Sequence, residues 1–241
     1  MIVVIPMAGA GQRFMEKGYT FPKALVTIRN KPMVQWVVEN LQAPWATHIF
    51  VVNPEDYARY DLSGMVSQMT PKWAIGLQTE RKGAAHAVVQ GLEGQDLSEP
   101  LLIANCDQWL QWDATRFWRV ALQSHVHGLI PVFPSTHPKW SYVRVEEHQV
   151  VEVAEKHPIS GWATCGLYYW KTAQMFVDSA RSMMLDDQKQ IGGEWYVAPT
   201  YNELIAAGGT VYAYPEVTMW GLGTPEDLEE FKMAVCSGRL T

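Results

Sequence analysis

The stretch Ile2-Val3-Val4-Ile5-Pro6-Met7-Ala8-Gly9-Ala10-Gly11-Gln12-Arg13 begins as a short aliphatic run and breaks into a glycine-bearing loop. Near-continuous apolarity over so few residues marks a strand buried on both faces of a parallel sheet. Residues 48–52, 75–78 and 101–105 repeat that texture. Between these runs, Met33 to Leu41 sets Met33, Trp36, Val37 and Leu41 on one helical face. Residues 83–92 and 114–123 are also helical in character, the second behind Asp113 as N-cap. Strand alternating with helix predicts right-handed βαβ units, and so an α/β fold with helices on both faces of a mostly parallel sheet.

After residue 128 the pattern changes. Residues 128–133, 141–145, 150–154 and 165–170 read as strands without long helices between them, which predicts an antiparallel or mixed extension of the sheet. Helices are expected from Ala173 to Met184 and over 201–207, the latter ended by Gly208 and Gly209 before a strand at 210–214. A last helix starts at Thr224, with Pro225 in its first turn and Glu226 and Asp227 complementing its dipole. No linker composition or internal repeat interrupts the chain, so one domain over 1–241 is expected, with 1–127 and 128–241 as its two parts.

The composition fits. With 241 residues, 48% hydrophobic and 18% charged, the chain can bury a full core without disulfides or a structural metal. Nineteen Lys and Arg against 25 Asp and Glu give a net charge of −6, which argues against non-specific nucleic-acid binding. Cys106, Cys165 and Cys236 build neither a disulfide framework nor a zinc knuckle, pointing to a reducing compartment. The N-terminus lacks a basic n-region and no apolar run reaches membrane-spanning length, so a cytoplasmic protein without membrane insertion is expected.

The chemistry starts in the first loop. Glycines there let backbone N–H groups approach phosphate oxygens, and Arg13 adds a rigid fork of donors. Phe14 stands where the dinucleotide fingerprint needs its third glycine, so that reading fails. Then come Phe21-Pro22-Lys23-Ala24-Leu25 and Asn30-Lys31-Pro32-Met33; Gln78 five residues before Gly83; Asn105-Cys106-Asp107 at a strand end; Glu155-Lys156-His157-Pro158; Gly193-Glu194 ahead of Tyr201-Asn202-Glu203-Leu204; and Gly223-Thr224-Pro225-Glu226-Asp227. In that order, over almost the whole chain, these motifs resemble the sugar-phosphate nucleotidyltransferases, the NDP-sugar pyrophosphorylases, in their branch without a β-helix.

The resemblance implies a Rossmann-like, three-layer α/β/α fold of the GT-A kind, with the nucleotide part in 1–127 and the acceptor part in 128–241. It implies nucleotide contacts at Ala8, Gly9, Ala10, Gly11, Gln12, Arg13, Lys23, Gln78, Gly83 and Asp107. Acceptor contacts fall at Ser141, Lys156, Gly166, Glu194 and Gly221. Arg13, Lys23, Asp107 and Lys156 carry the reaction, with Asp107 holding Mg²⁺. The implied reaction is in-line attack of a phosphate oxygen on the α-phosphorus of an NTP, with release of pyrophosphate. A phosphate monoester is already largely dianionic at neutral pH, so no general base is required and none of the seven histidines must act. Positioning and charge neutralisation suffice.

Two departures bear on the acceptor. Gly221 occupies the place of the family's second metal-binding aspartate, and His137-Pro138-Lys139-Trp140-Ser141-Tyr142 replaces the usual acceptor wall. A sugar 1-phosphate and a pyrimidine NTP are expected, for surface-polysaccharide or capsule synthesis. A cytidylyltransferase acting on a choline-phosphate-like ester is the alternative. A related glycosyltransferase ranks lower because Asp107-Gln108-Trp109 lacks the second acid of Asp-x-Asp, and a non-catalytic nucleotide sensor has only Gly221 in its favour. Trp109, Trp112 and Trp140 are candidates for a stacking rim. No hexapeptide repeats are present, so no acyltransferase activity is expected. The NTP and a small phosphorylated acceptor are the expected partners, with homo-oligomer formation left open.

Overall fold

The computed structural model of the chain describes residues 1–240. Fourteen strands are present among them: β1 Ile2–Pro6, β2 Thr27–Ile28, β3 Lys31–Pro32, β4 Thr47–Val52, β5 Trp73–Leu77, β6 Leu101–Ala104, β7 Gln108–Trp112, β8 Gly128–Pro134, β9 Ser141–Glu146, β10 Gln149–Glu155, β11 Trp162–Thr164, β12 Leu167–Trp170, β13 Val211–Tyr214 and β14 Val217–Gly221. The helices are α1 Gln12–Glu16, α2 Met33–Leu41, α3 Pro54–Arg59, α4 Leu62–Ser67, α5 Ala84–Gly91, α6 Ala114–Ala121, α7 Ala173–Met184, α8 Thr200–Ala206 and α9 Pro225–Cys236.

Ten strands form one sheet in the order β11-β9-β10-β13-β8-β12-β6-β1-β4-β5. The block β6-β1-β4-β5 is parallel throughout, with Val4 opposite both Ile49 and Ile103. Antiparallel β12 then joins β6 to β8, β13 runs parallel to β8, and β9, β10 and β11 form the antiparallel extension. The period of two explains why the parallel strands are apolar at every position. Val3, Ile5, Phe50, Val52, Leu102 and Ala104 face a core shared with α2, α4 and α6. Ile2, Val4, Ile49, Val51, Leu101 and Ile103 face another, shared with α5, α7 and α8. A third cluster packs α9 against Phe14, Val26, Ile28 and Met33, tying the C-terminal helix to the first loop.

The expected caps form: the side chains of Asp113, Thr172 and Thr224 accept from the backbone N–H groups of Arg116, Met175 and Asp227. Three features depart from the sequence reading. Helices α3 and α4 fill a stretch left unassigned; α3 buries no side chain, so it carries no apolar stripe to read. The run 165–170 is broken at Gly166, whose φ of +70° ends the strand pairing and starts β12 at Leu167. The ribbon β7·β14 pairs segments more than a hundred residues apart, and no local pattern announces that pairing. Among the described residues no helix is long and apolar enough to cross a membrane.

Candidate active site

The parallel strands deliver their following loops to one end of the sheet, where ligands of open α/β sheets bind. There a cavity of about 680 Å³ is lined by residues from both parts of the chain, from Gly11 to Asp227. After β1 the chain continues as strand for one more bond, Met7 N donating to Val51 O at 2.8 Å. It then turns at Gly11, where φ is +61°. Phe14, 1% exposed, pins the short α1 so that Gln12 and Arg13 line the cleft. Gly11 also packs on Lys23, which lies in a 3-10 turn started by Pro22.

Lys23 Nζ donates to Asp107 Oδ2 at 2.6 Å, with the two side chains 22% and 18% exposed. Burial works against the ammonium, but the Asp107 carboxylate outweighs it and holds the Lys23 pKa above the ordinary lysine value. Burial pushes the Cys106 thiol up to about 11, so it stands as an inert neutral neighbour. Asp107 is clamped from the end of β14, where Leu222, just ahead of Gly223-Thr224-Pro225, donates its N–H to the Asp107 carbonyl at 2.8 Å. The carboxylate therefore projects from a fixed backbone towards Lys23.

The structure brings Gly11, Gln12, Arg13, Lys23 and Asp107 to the cleft, together with Ser141, Lys156, Gly166 and Gly221. Ala8, Gly9, Ala10, Gln78, Gly83 and Glu194 do not line it. Gln78 is 7% exposed, and its Nε2 donates to the carbonyl of Glu80 at 2.9 Å, shaping the 78–83 loop from inside. Gly83 has φ +96°, and its position against the Trp195 backbone fixes where Ala84, Tyr196 and Val197 meet the cleft. Glu194 is exposed and paired through its backbone with Ile191. Of the three tryptophans, Trp140 lines the cleft, whereas Trp109 packs 5.6 Å from Phe231 and Trp112 5.0 Å from Phe117.

Lys156, which lines the cleft from the second part of the chain, adopts a left-handed conformation, φ +55°, its backbone N–H donating to Trp140 O at 3.0 Å. Its Nζ donates to the Tyr196 hydroxyl at 2.5 Å and sits 4.5 Å from that ring's centre. Glu155, beside it, accepts from Ser141 Oγ, and burial raises its carboxyl above the ordinary value despite that bond.

Sequence reasoning missed a pair. Lys139 Nζ lies 3.3 and 3.2 Å from the two carboxylate oxygens of Asp227 and 4.6 Å from the Trp140 ring centre. Asp227 reads as a first-turn acid of α9, and only the placement of α9 against β14 aims it into the cleft. A Cβ on Gly221 would stand 3.3 Å from Asp227 Oδ2, so a second aspartate at 221 would confront this one.

Among the described residues no group of three or more His, Cys, Asp or Glu is gathered as a metal site. Mg²⁺ is ordinarily held by one or two carboxylates together with phosphate oxygens and waters. Asp107, which lines the cleft together with Gly11 and Arg13, fits an ion of that kind, with Lys23 the cation beside it in this structure.

A family model described as nucleotidyl transferase matches residues 2–238. Among solved structures, the nucleoside-diphosphate-sugar pyrophosphorylase of Vibrio cholerae RC9 superposes with a TM-score of 0.81 at 27% identity, covering 96% of this chain and 99% of that one. A UDP-glucose pyrophosphorylase complexed with UDP-glucose shares the fold, with a TM-score of 0.78 at 18% identity over 98% of each chain. The bifunctional protein GlmU of Azorhizobium caulinodans is 34% identical over 89 residues, 37% of this chain but 19% of that protein. GlmU of Cutibacterium acnes is 30% identical over 94 residues, 39% of this chain and 21% of that protein. The match over residues 2–238 takes in the glycine loop, the Lys23–Asp107 pair and the 223–227 motif alike, and the chain belongs to the nucleotidyl transferase family.

Proposed function

We propose that the chain transfers a nucleoside monophosphate from an NTP to a small phosphorylated acceptor, a sugar 1-phosphate, with release of pyrophosphate. The observation that carries this reading is one cleft that gathers cationic groups from both parts of the chain: Arg13 and Lys23 from the first, and Lys156 from the second. Two phosphate-bearing substrates need two such anchors, and in-line transfer needs them facing. The likeness to the Vibrio cholerae pyrophosphorylase supports the same substrate classes.

In this mechanism Gly11 and Arg13 bind the triphosphate, and the Arg13 guanidinium neutralises charge on the departing pyrophosphate. Lys23, whose raised pKa keeps it protonated at any working pH, meets the transferring phosphoryl group. Lys156 orients the acceptor phosphate, whose own dianionic charge supplies the nucleophile. Mg²⁺, held by Asp107 and the phosphates, would supply further charge neutralisation. A pyrimidine base, a role in surface-polysaccharide or capsule precursors, and a cytoplasmic location complete the proposal. One domain over 1–241, with nucleotide and acceptor parts dividing near 127, is part of it.

The test is pyrophosphate release with Mg²⁺, the common NTPs crossed with sugar 1-phosphates and small non-sugar phosphates. Release that requires one NTP and one acceptor together is expected. Lys156→Ala should raise the acceptor KM and leave NTP binding intact; loss of NTP binding instead would mean that the two phosphate sites are exchanged.

A further inference from the structure

A second cavity, of about 760 Å³, lies where β4 and β5 begin, at the opposite end of the sheet from the cleft. It shares no lining residue with the cleft, and no residue assigned to transfer reaches it. A cavity of that size is ordinary for a small-molecule site. Its walls are the end of α2, the loops that enter β4 and β5, and one face of α6.

The walls are mostly apolar. Helix α6 contributes Thr115, Trp118, Arg119 and Leu122, whose spacing by three and four residues sets them on one helical face. Trp118 is buried and its Nε1 is committed to Leu41 O at 3.1 Å. Trp45 stands edge-on to it, ring centres 6.1 Å apart, and is itself 51% exposed. Leu122 is also more than half exposed. An indole and a leucine left bare on the rim of one cavity form apolar surface that a ligand can cover. His48 and Thr70 line it as well, but His48 Nδ1 and Thr70 Oγ1 are spent on each other at 3.1 Å.

The charge is one-sided. Glu39 and Arg119 line the cavity. Glu39 is already held: Lys31 Nζ donates to its two carboxylate oxygens at 2.9 and 2.6 Å, and Gln35 Nε2 donates to Oε1 at 2.9 Å. Arg116, one turn before Arg119, is paired with Glu216. Arg119 itself meets no carboxylate and donates no side-chain hydrogen bond among the described residues, so its guanidinium is the charge left over at this cavity.

We propose that this cavity is a second ligand site, for a small aromatic anion whose ring lies against Trp45 and whose carboxylate, sulfonate or phosphate meets Arg119. A flat apolar body covers the bare indole, and the guanidinium fork matches a planar or tetrahedral oxyanion. A nucleoside triphosphate suits it poorly: several charges would face one guanidinium, and a polar ribose would lie on an apolar wall.

The test is fluorescence titration of the full chain with anilinonaphthalene sulfonate and with phenylnaphthylamine, the same ring system without the charge. The anion should bind the native chain at one site, about threefold or more tighter than the neutral probe. High salt should narrow that margin. Arg119→Gln should abolish the margin and leave the neutral probe's affinity unchanged. If this variant fails to fold, Arg119→Met carries the same expectation. Trp45→Ala, at an exposed position, should weaken both probes several-fold. Mg²⁺ with each common NTP in turn should displace neither probe. No binding, equal affinity for the two probes, a margin that survives in the Arg119 variant, unchanged binding in Trp45→Ala, or displacement of the anion by an NTP would each overturn the proposal. A dimer seen by light scattering that excludes the anion would give the cavity to a second copy of the chain and overturn it equally.

Discussion

Replacing Gly83 with alanine should be among the most damaging one-carbon changes in this protein. Gly83 has φ +96° and ψ 174°, a region open in practice only to glycine, and holding an alanine there costs about 1–3 kcal/mol. Its new Cβ would stand 2.5 Å from both N and O of Trp195, backbone atoms with little room to yield. Trp195 N donates to Lys82 O at 2.9 Å, Ala85 N donates to Trp195 O at 3.0 Å, and Trp195 itself is 3% exposed. Relief therefore breaks one or both hydrogen bonds, at about 0.5–1.5 kcal/mol each. The sum is roughly 2–6 kcal/mol, against a typical total near 5–15. At about 2–4 °C per kcal/mol for a chain of this size, the melting temperature should fall by roughly 5–20 °C. Gly94→Ala is the matched control: its φ is +77°, but nothing lies within 4 Å of the added carbon, so only strain of about 1–2 kcal/mol applies. Thermal and urea unfolding followed by circular dichroism would compare the two. Equal midpoints for Gly83→Ala and Gly94→Ala would refute the collision with Trp195. Because Ala84, Tyr196 and Val197 meet the cleft from these two loops, NTP affinity should fall in Gly83→Ala and not in the control.

Three further outcomes are expected. Burial raises the Glu155 carboxyl, so the folded state binds its proton more tightly than the unfolded chain does. The resulting stability is fully present below the ordinary carboxylate value and declines as pH rises through the raised one. Glu155→Gln should accordingly gain thermal stability over wild type at pH 8 and lose that gain near pH 4; a gain confined to acid would contradict the assignment. Asp107→Asn removes the carboxylate that holds Lys23 and suits Mg²⁺, and Mg²⁺-dependent pyrophosphate release should drop by roughly 100-fold or more; full activity would end its proposed role. Thr224→Ala deletes the cap on Asp227 N, made at 3.1 Å, and should cost about 1 kcal/mol. An unchanged melting temperature in that variant would show that the cap is dispensable.

The parallel half of the fold was legible because each strand there is apolar on both faces and each helix carries a cap or an apolar stripe. Ile2–Pro6, Met33–Leu41 and Ala173–Met184 stand where the sequence reading sets them. Helix α3 was missed although Asn53 caps it ahead of Pro54, because it buries nothing and so shows no apolar stripe after its start, and β7 and β14 were missed because each needs the other. In the cleft, Arg13, Lys23, Asp107 and Lys156 were readable from motifs that match in order. The pairing of Lys139 with Asp227 was not: Lys139 stands in the stretch that replaces the usual acceptor wall, Asp227 reads as a helix-start acid, and no motif joins the two.

The sequence alone determined the α/β class, the glycine loop and the cationic groups that phosphate chemistry needs, because periodicity and residue type are local properties. Tertiary structure alone decided that Lys139 neutralises Asp227, that Gln78 turns inward to hold its loop, and that Gly166 leaves room for the buried Gln108 amide. Each of those depends on a distance between segments far apart in the chain. Such distances are fixed by how ten strands pair and how α9 closes over β14, and no window of neighbouring residues encodes them.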